Sequence, residues 1–400
     1  MARVRCAIDT RALIFAARAV RTFGDGLMSV ALAVYADAIG LSGLEFGLIA
    51  SSALVGTSLV TWIVGRYVEA VGRQRVLLAG GALMVFTGLA YASTEAVPIL
   101  VVVAFFGTVN PTSGDVSSFL PVEQAILAQT GEPLSRVHTF AWFSVIGSIA
   151  AAFGALASAL GPLLAAVTPL GSASATRVLF LAYAILGLAT MAIVARLGQA
   201  AELPAGSDTG GLGPSRGRVW GLSGLFALDS FAGGLVVQSV IALFFLRKFD
   251  LDPAVIGAVF FGTSLLAALS FLASARLATR FGLVNTMVFT HLPSNALLVG
   301  VAVSPVAWLA VAFLFARSML SQMDVPPRQA LVVSVVEPGE RAAAAATTSL
   351  ARSLGATPAP LLGGTMLGVY AGLPFVVCAG LKSTYDLLLL GFFGRTRLRS

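Results

Sequence analysis

Long apolar segments recur along the whole chain, and this pattern restricts the fold more than any other feature. Twelve segments approach the roughly 20 residues that a helix needs to cross a bilayer. Of the 400 residues, 58% are hydrophobic and 11% are charged, whereas a soluble domain is usually about one quarter charged. The sequence therefore predicts an all-α integral membrane protein with twelve transmembrane helices, at residues 12–38, 43–64, 76–94, 97–128, 138–160, 176–197, 219–246, 254–274, 284–304, 306–334, 342–367 and 372–394.

The basic residues are distributed unevenly between the two predicted faces of the membrane. With both termini in the cytoplasm, sixteen arginines lie on the cytoplasmic side, and only Arg177, Arg247 and Lys248 lie outside. This asymmetry follows the positive-inside rule and fixes the orientation. It also explains the net charge of +7 without a nucleic-acid partner. We therefore expect a multi-pass protein of a prokaryotic inner membrane with both termini cytoplasmic.

A polar stretch rich in Gly, Pro and Ser divides the chain near its middle, as a flexible linker does. The sequence predicts an N-terminal six-helix bundle at 1–197, a cytoplasmic linker at 198–217 and a C-terminal six-helix bundle at 218–400. The two halves are similar: Gly72 aligns with Gly282, and Arg66 aligns with Arg276. Six spans per repeat is an even number, so both halves enter the membrane in the same direction. In such parallel repeats the substrate site lies between the halves, near the midplane.

A charged stretch between the second and third spans has the spacing G-x(3)-E-x(2)-G-R-x-R, formed by Gly65, Glu69, Gly72, Arg73 and Arg75. Its position between two apolar segments predicts a tight turn at a membrane face. The stretch resembles the loop between helices 2 and 3 of major facilitator superfamily (MFS) transporters, in which the usual acid is Asp. The resemblance implies the MFS fold, with two six-helix bundles related by a pseudo-two-fold axis. It also implies that this loop is a conformational switch.

Ionisable groups inside the spans are candidates for function, because each costs several kcal/mol unless it is paired or hydrated. Most of them lie on the first, fourth, seventh and tenth spans, which line the central cavity in the MFS fold. The candidates for proton coupling are Asp25, Asp115 and His138. The candidates for the substrate cavity are Arg18, Arg21, Glu123, Gln124, Trp142, Asp229, Gln238, Arg317, Asp324, Arg328 and Arg352. The alternative for each charged residue is a structural pair with an opposite charge.

Other polar residues of the spans are predicted to be structural. His291 lies on an outer span, and we expect it to pack. Lys382 and Asp386 are four residues apart, and we expect them to pair with each other. The resemblance gives Glu69 a structural role as well, facing the N-terminus of the eleventh helix. Pro326 and Pro327 are expected to break the tenth span.

This chain lacks residues that several classes of protein require. Lys248 and Lys382 are the only lysines, so the G-x(4)-G-K-[ST] phosphate-binding loop is absent. Two distant histidines and no cysteine cluster give no zinc site. There is no G-x-S-x-G motif of a hydrolase. We therefore expect neither an enzyme nor a bound cofactor or metal.

The sequence predicts a secondary active transporter that moves a small molecule by alternating access. Protons are the expected coupling ion, and efflux of drug-like or organic-anion compounds is the working hypothesis for its direction and substrate. A facilitative uniporter and a non-transporting membrane receptor or scaffold remain as alternatives. The expected partners are the lipid bilayer, the substrate and protons, and the chain is expected to be a monomer.

Overall fold

The chain is helical along almost all of the part that the structure describes. The structure is a computed structural model, and it describes residues 2–109, 119–129, 133–202, 212–336 and 340–393. Within these ranges there is no β-strand. The α-helices are α1 Ala2–Ala38, α2 Gly43–Val71, α3 Arg73–Ser93, α4 Val97–Phe106, α5 Leu120–Gln129, α6 Pro133–Ala157, α7 Leu160–Val167, α8 Ser172–Val194, α9 Arg216–Gly234, α10 Gln238–Phe249, α11 Pro253–Phe281, α12 Leu283–Val303, α13 Ala307–Ser321, α14 Val325–Ser334, α15 Arg341–Ala356, α16 Ala359–Val369 and α17 Leu373–Phe393.

In the described part of the chain, eight helical segments are long and apolar enough to cross a membrane. They cover residues 43–64, 73–93, 142–167, 172–194, 216–249, 253–278, 283–303 and 373–393. The other four predicted spans are also helical in the described residues, as α1, α4 with α5, α13 with α14, and α15 with α16. These four either carry several charges or are divided into two shorter helices. The prediction of twelve helical spans is confirmed.

The chain forms two compact units. The first unit contains residues 1–205 and 241–261, and the second contains residues 206–240 and 262–400. Residues 241–261 pack within the first unit, where the rings of Phe153 and Phe261 meet at 5.3 Å between centroids. The units therefore differ from the predicted halves at this segment. The division of the chain at the 198–217 linker stays a prediction.

The turns between α2 and α3 and between α11 and α12 are each a single glycine. Gly72 has a φ of 98° and Gly282 has a φ of 85°, a left-handed backbone that favours glycine. The predicted loop at 65–75 is therefore shorter than expected, because α2 continues as far as Val71 and α3 begins at Arg73. The equivalence of Gly72 and Gly282 in the internal repeat is reproduced by the backbone.

Glycines allow helices to approach closely within each unit. In the first unit, a Cβ added at Gly26 or Gly154 would overlap a carbonyl oxygen of the facing helix, since α1 and α6 pack backbone against backbone. In the second unit, a Cβ at Gly355 or Gly363 would overlap a carbonyl oxygen at Ala227 or Leu235. Small residues permit such contact between membrane helices. These contacts hold the charged helices α1 and α9 against their neighbours.

The tenth span is interrupted just before its two prolines. Helix α13 ends at Ser321, and α14 begins at Val325, with Pro326 and Pro327 in its first turn. The expectation that these prolines break the helix locally is confirmed. Proline is tolerated in a first helical turn, where its missing N–H has no partner to lose. The interruption places Asp324 between the two helices.

Candidate functional site

A buried ionic cluster in the first unit joins α1 to α5. We call it the first-unit cluster, and it contains Arg18, Arg21, Asp25 and Glu123. Arg21 Nη1 lies 3.1 Å from Asp25 Oδ2, and Arg21 Nη2 lies 3.0 Å from Glu123 Oε2. Arg18 Nη1 lies 3.9 Å from the same Glu123 oxygen. All four residues are at most 8% exposed, so these ion pairs lie in the protein interior.

Local sequence explains how the first-unit cluster forms. Arg21 and Asp25 are one turn apart on α1, which places them on the same face. The guanidinium carbon of Arg18 lies 4.7 Å from the centre of the Phe143 ring, and that of Arg21 lies 4.7 Å from the centre of the Phe119 ring. Aromatic faces attract cations electrostatically. The rings therefore hold both arginines in place beside the carboxylates.

A second buried cluster lies in the second unit and joins α9, α12, α14 and α17. We call it the second-unit cluster, and it contains Asp229, His291, Asn295, Asp324, Arg328, Lys382 and Asp386. Lys382 Nζ lies 2.6 Å from Asp229 Oδ1, and Arg328 Nη1 lies 3.3 Å from Asp229 Oδ2. Arg328 Nη1 also lies 3.0 Å from Asp324 Oδ2. Asp229 is thus held by two cations from two other helices.

Lys382 and Asp386 do not pair with each other, contrary to the sequence-based expectation. Lys382 turns to Asp229, and Asp386 turns to α12, where Asn295 Nδ2 donates a hydrogen bond to Asp386 Oδ2 at 3.0 Å. His291 Nδ1 lies 3.2 Å from Asp386 Oδ1. His291 is buried, as expected, and it also makes this polar contact, which the sequence did not indicate. Helical spacing identifies neighbours on one helix, but here each side chain has a stronger partner on an adjacent helix.

Three other candidate residues belong to the second unit. Arg352 Nε donates a hydrogen bond to Ser230 Oγ at 3.1 Å. Arg317, on α13, is partly buried, and its Nε has no hydrogen-bond partner in the described part of the chain. Gln238 is partly buried at the start of α10.

The remaining candidates belong to the first half of the sequence. Trp142 on α6 is 52% exposed. Asp115 lies outside the described residues. The side chains of Gln124 and His138 lie outside the described part of the chain as well.

The predicted switch stretch is stabilised by a residue that the sequence did not indicate. Glu202 accepts hydrogen bonds from the backbone N–H of Arg73, at 2.9 Å, and of Gln74, at 3.2 Å. A carboxylate is favourable at a helix N-terminus, where backbone N–H groups are unsatisfied and the helix dipole is positive. Arg73 is buried and Arg75 is exposed. The side chain of Glu69 and the surroundings of Gly65 fall outside the described part of the chain.

Another distant glutamate holds the segment that leads into α9. Glu340 accepts hydrogen bonds from the backbone N–H of Gly213 and, at 3.4 Å, of Ser215. Sequence reasoning missed Glu202 and Glu340 because each is far along the chain from the backbone it holds. For His291 and Asn295 a signal existed, since two polar residues one turn apart inside an apolar span share a face.

Comparisons with known proteins agree on the fold. No protein-family model matches the chain. An uncharacterized membrane protein of Saccharomyces cerevisiae is 24% identical over 98% of this chain and 95% of its own length.

Among solved structures, the nucleoside transporter NupG covers 98% of this chain and 100% of its own, with a TM-score of 0.72 and 15% identity. The xylose transporter XylE from E. coli covers 97% of this chain and 98% of its own, with a TM-score of 0.70 and 14% identity. The human organic anion transporter MFSD10 covers 96% of this chain and 99% of its own, with a TM-score of 0.62 and 18% identity. The chain therefore has the fold of the major facilitator superfamily transporters.

Proposed function

We propose that this protein is a secondary active transporter that moves a small molecule across a membrane by alternating access, coupled to protons. The observation that carries the proposal is the burial of ionisable side chains within the spans of both units. Asp25 is 3% exposed and Asp229 is 4% exposed. Charged groups inside a membrane are costly, and they commonly mark the pathways of ions and substrates. The MFS fold and the transporters that share it support the same function.

A coupling group must be able to gain and lose a proton during the transport cycle. Asp25 is the first candidate from the sequence, and Asp115 is the second. Asp25 shares Arg21 with Glu123, so a movement of α1 relative to α5 would change how strongly Arg21 holds Asp25. A neighbouring cation alters the proton affinity of a carboxylate. The same contact would also serve a purely structural pair, and the two roles differ in their consequences for Asp25→Asn.

We propose efflux of an organic anion or a drug-like compound as the direction and substrate. Arginines stacked on aromatic rings, as at Phe119 and Phe143, combine positive charge with apolar surface. Among the solved structures with this fold, one is named for organic anions, one for nucleosides and one for xylose. These names define the classes of compound with which a first assay should begin.

The assay uses the purified full chain in liposomes that contain a trapped pH-sensitive dye. Four labelled compounds are offered: p-aminohippurate, ethidium, uridine and D-xylose. We expect one class to accumulate above its equilibrium level only when a pH gradient is imposed, with a matching dye signal. An ionophore that collapses the gradient should abolish the accumulation. Liposomes without protein provide the background, and opposite gradients report the direction.

Each alternative predicts a different result in this assay. A facilitative uniporter brings a compound to equilibrium at a rate that does not depend on the pH gradient. A receptor or scaffold gives no flux, although a ligand can still raise the melting temperature. Flux without proton movement would overturn the coupling. Ligand binding without any flux would overturn transport itself.

We also propose that the protein is a monomer in a cell inner membrane with both termini and the linker cytoplasmic. The uneven distribution of arginines supports this orientation. A thiol reagent that does not cross membranes should fail to label Ser207→Cys in intact cells and should label it after lysis. Efficient labelling from outside would reverse the orientation.

A further inference from the structure

His291 lies between two carboxylates in the second-unit cluster. Its Nδ1 is 3.2 Å from Asp386 Oδ1, and its Nε2 is 3.9 Å from Asp324 Oδ1. A neutral imidazole carries one N–H group and one lone pair. With both carboxylates ionised, that lone pair must face a carboxylate oxygen, which is an acceptor against an acceptor. One additional proton, on the ring or on a carboxylate, removes this conflict.

His291 is the nearest group that can balance the charge of Asp386. The Asp386 side chain is completely buried, and it contacts the His291 ring and the Asn295 amide. Within the described residues, no arginine or lysine nitrogen lies within 4 Å of it. Lys382 acts on Asp386 from beyond that distance.

We propose that His291 and Asp386 form a proton-binding site inside the second unit, with Asp324 as the second acceptor. The assignment of this proton to transport rests on the proposed function, whereas the existence of the site does not. The site takes one proton from water, and the proton resides on the imidazole or is shared with the Asp386 carboxylate. No bond other than those to this proton is formed or broken.

The charges around the site come from every helix that packs on it. Asp229 lies on α9, Arg317 on α13, Arg328 on α14 and Lys382 with Tyr385 on α17, while Arg352 on α15 bonds to Ser230. Asp229 takes Lys382 and Arg328 as partners, and Arg328 also contacts Asp324. His291 therefore links Asp386 to Asp324 and Arg328, while Lys382 acts on Asp386 from farther away.

The network gives the proton a route to influence α9. A proton on His291 strengthens the attraction of the ring for Asp324, and Asp324 shares Arg328 with Asp229. A stronger attraction between His291 and Asp324 alters the relative strength of the contacts that Arg328 makes with Asp324 and with Asp229. Protonation on α12 would thereby change the contact between α14 and α9, which a transporter could use during a conformational change.

Hydroxyl groups beside the site are available to bind water. The rings of Tyr385 and His291 lie 6.3 Å apart between centroids. In the described part of the chain, Tyr385 Oη and Ser294 Oγ are buried without a hydrogen-bond partner. Buried polar atoms are usually satisfied by protein or ordered water. Water at these hydroxyls would supply the path by which a proton reaches the ring.

The experiment follows the ring nitrogens directly. The chain contains two histidines, so the full-length protein labelled with [15N]histidine gives two sets of ring signals, and His138→Gln assigns them. We expect the 15N signals of the His291 ring to change with pH, as a proton-binding site requires. In Asp386→Asn, we expect its half-protonation to move to lower pH by about one unit or more, a tenfold loss of proton affinity.

Further variants separate this effect from damage to the fold. Asp324→Asn should move the half-protonation in the same direction but less, because Nε2 lies farther from Asp324 than Nδ1 lies from Asp386. Asp386→Glu should restore much of the proton affinity. Asp252→Asn removes a carboxylate in the first unit that caps the Ala254 N–H, and it should leave the His291 signals unchanged. Size-exclusion profiles report whether each variant folds.

Two results would overturn the site. One is a His291 ring that keeps a single protonation state throughout the pH range. The other is a folded Asp386→Asn protein in which the half-protonation is unchanged; if that variant does not fold, Asp324→Asn decides instead. The measurement uses no substrate, so it is independent of transport. Proton-independent flux with a titrating His291 would refute only the coupling, whereas proton-dependent flux with a silent His291 would refute only this site.

Discussion

The first-unit and second-unit clusters are buried to a similar degree, but they contain different cations. The ion pairs of the first-unit cluster involve Arg18 and Arg21, and guanidinium groups do not lose their protons in proteins. The second-unit cluster adds an imidazole and an ammonium group, at His291 and Lys382. Burial alone therefore does not reveal which ionic cluster can change its charge. The first-unit cluster can therefore change its charge only at its carboxylates, whereas the second-unit cluster can also do so at the His291 imidazole.

The largest expected effect is on proton-driven accumulation, and it tests the comparison directly. Asp386→Asn should reduce accumulation to the equilibrium level while substrate exchange continues, because the variant binds its proton poorly. Asp25→Asn should lower the yield of folded protein, since it removes one of the two carboxylates that Arg21 contacts. Liposome flux with and without a pH gradient measures both variants.

A different result for Asp25→Asn would move the coupling role from the second-unit cluster to the first-unit cluster. If Asp25→Asn folds normally and loses only accumulation, coupling resides in the first-unit cluster. If Asp25→Asn remains proton-dependent as well as folded, Asp115 becomes the next residue to test there.

The largest expected effect on stability is at Arg21, which contacts both carboxylates of its cluster. Arg21→Gln alone leaves buried carboxylates without this partner and should cost about 3–5 kcal/mol of unfolding free energy. Arg177→Gln is the control, because Arg177 pairs with Glu95 where both side chains are partly exposed and such pairs contribute less than about 1 kcal/mol. Thermal unfolding in detergent measures both. If Arg21→Gln and Arg177→Gln had equal melting temperatures, a structural role for the first-unit cluster would be contradicted.

A smaller effect is expected where helices pack through glycine, and it should be similar in the two units. Gly154→Ala and Gly363→Ala each force a methyl group towards a backbone carbonyl oxygen, which should cost about 1–3 kcal/mol. Gly221→Ala is the control, since a Cβ there has no neighbour within 4 Å. A loss of melting temperature confined to one unit would show that the two helix pairs are not equivalent.

The smallest effect is expected at the two single-glycine turns. Gly72→Leu and Gly282→Leu both place a side chain on a left-handed backbone, which costs about 1–2 kcal/mol. A Cβ at Gly72 would also meet Glu202 Oε1 at 3.2 Å, whereas nothing lies within 4 Å of one at Gly282. Gly72→Leu should therefore lower transport more than Gly282→Leu, with expression largely retained in both.

Glu69→Gln extends this comparison to the acid of the switch motif. It should lower flux without loss of folded protein, because it removes the charge that the motif supplies. Wild-type flux in both Gly72→Leu and Glu69→Gln would exclude the stretch from the transport mechanism.

Sequence alone determined the helical class, the twelve spans and the internal repeat. Bilayer thickness fixes the length of an apolar span, and backbone polar groups in lipid must be satisfied within helices. These constraints act locally, so they can be read without knowing which helices are neighbours. The glycine turns were readable for the same reason, since a left-handed residue at Gly72 or Gly282 depends on the backbone of that residue alone. The prediction failed at the end of α2, because the charged residues before Gly72 are compatible with a helix as well as with a loop.

Only the tertiary structure decided which charges meet. The sequence placed Arg21 beside Asp25 correctly, because both lie on one helix face, but the same rule paired Lys382 with Asp386 wrongly. Lys382 instead meets Asp229 on α9, which is 153 residues away along the chain, and Asp386 meets His291 on α12. Helix packing sets such distances, and the packing depends on small residues and side-chain volumes throughout a unit. The partner of a buried charge is therefore a property of the assembled helices, whereas the presence of that charge within a span is a property of the sequence.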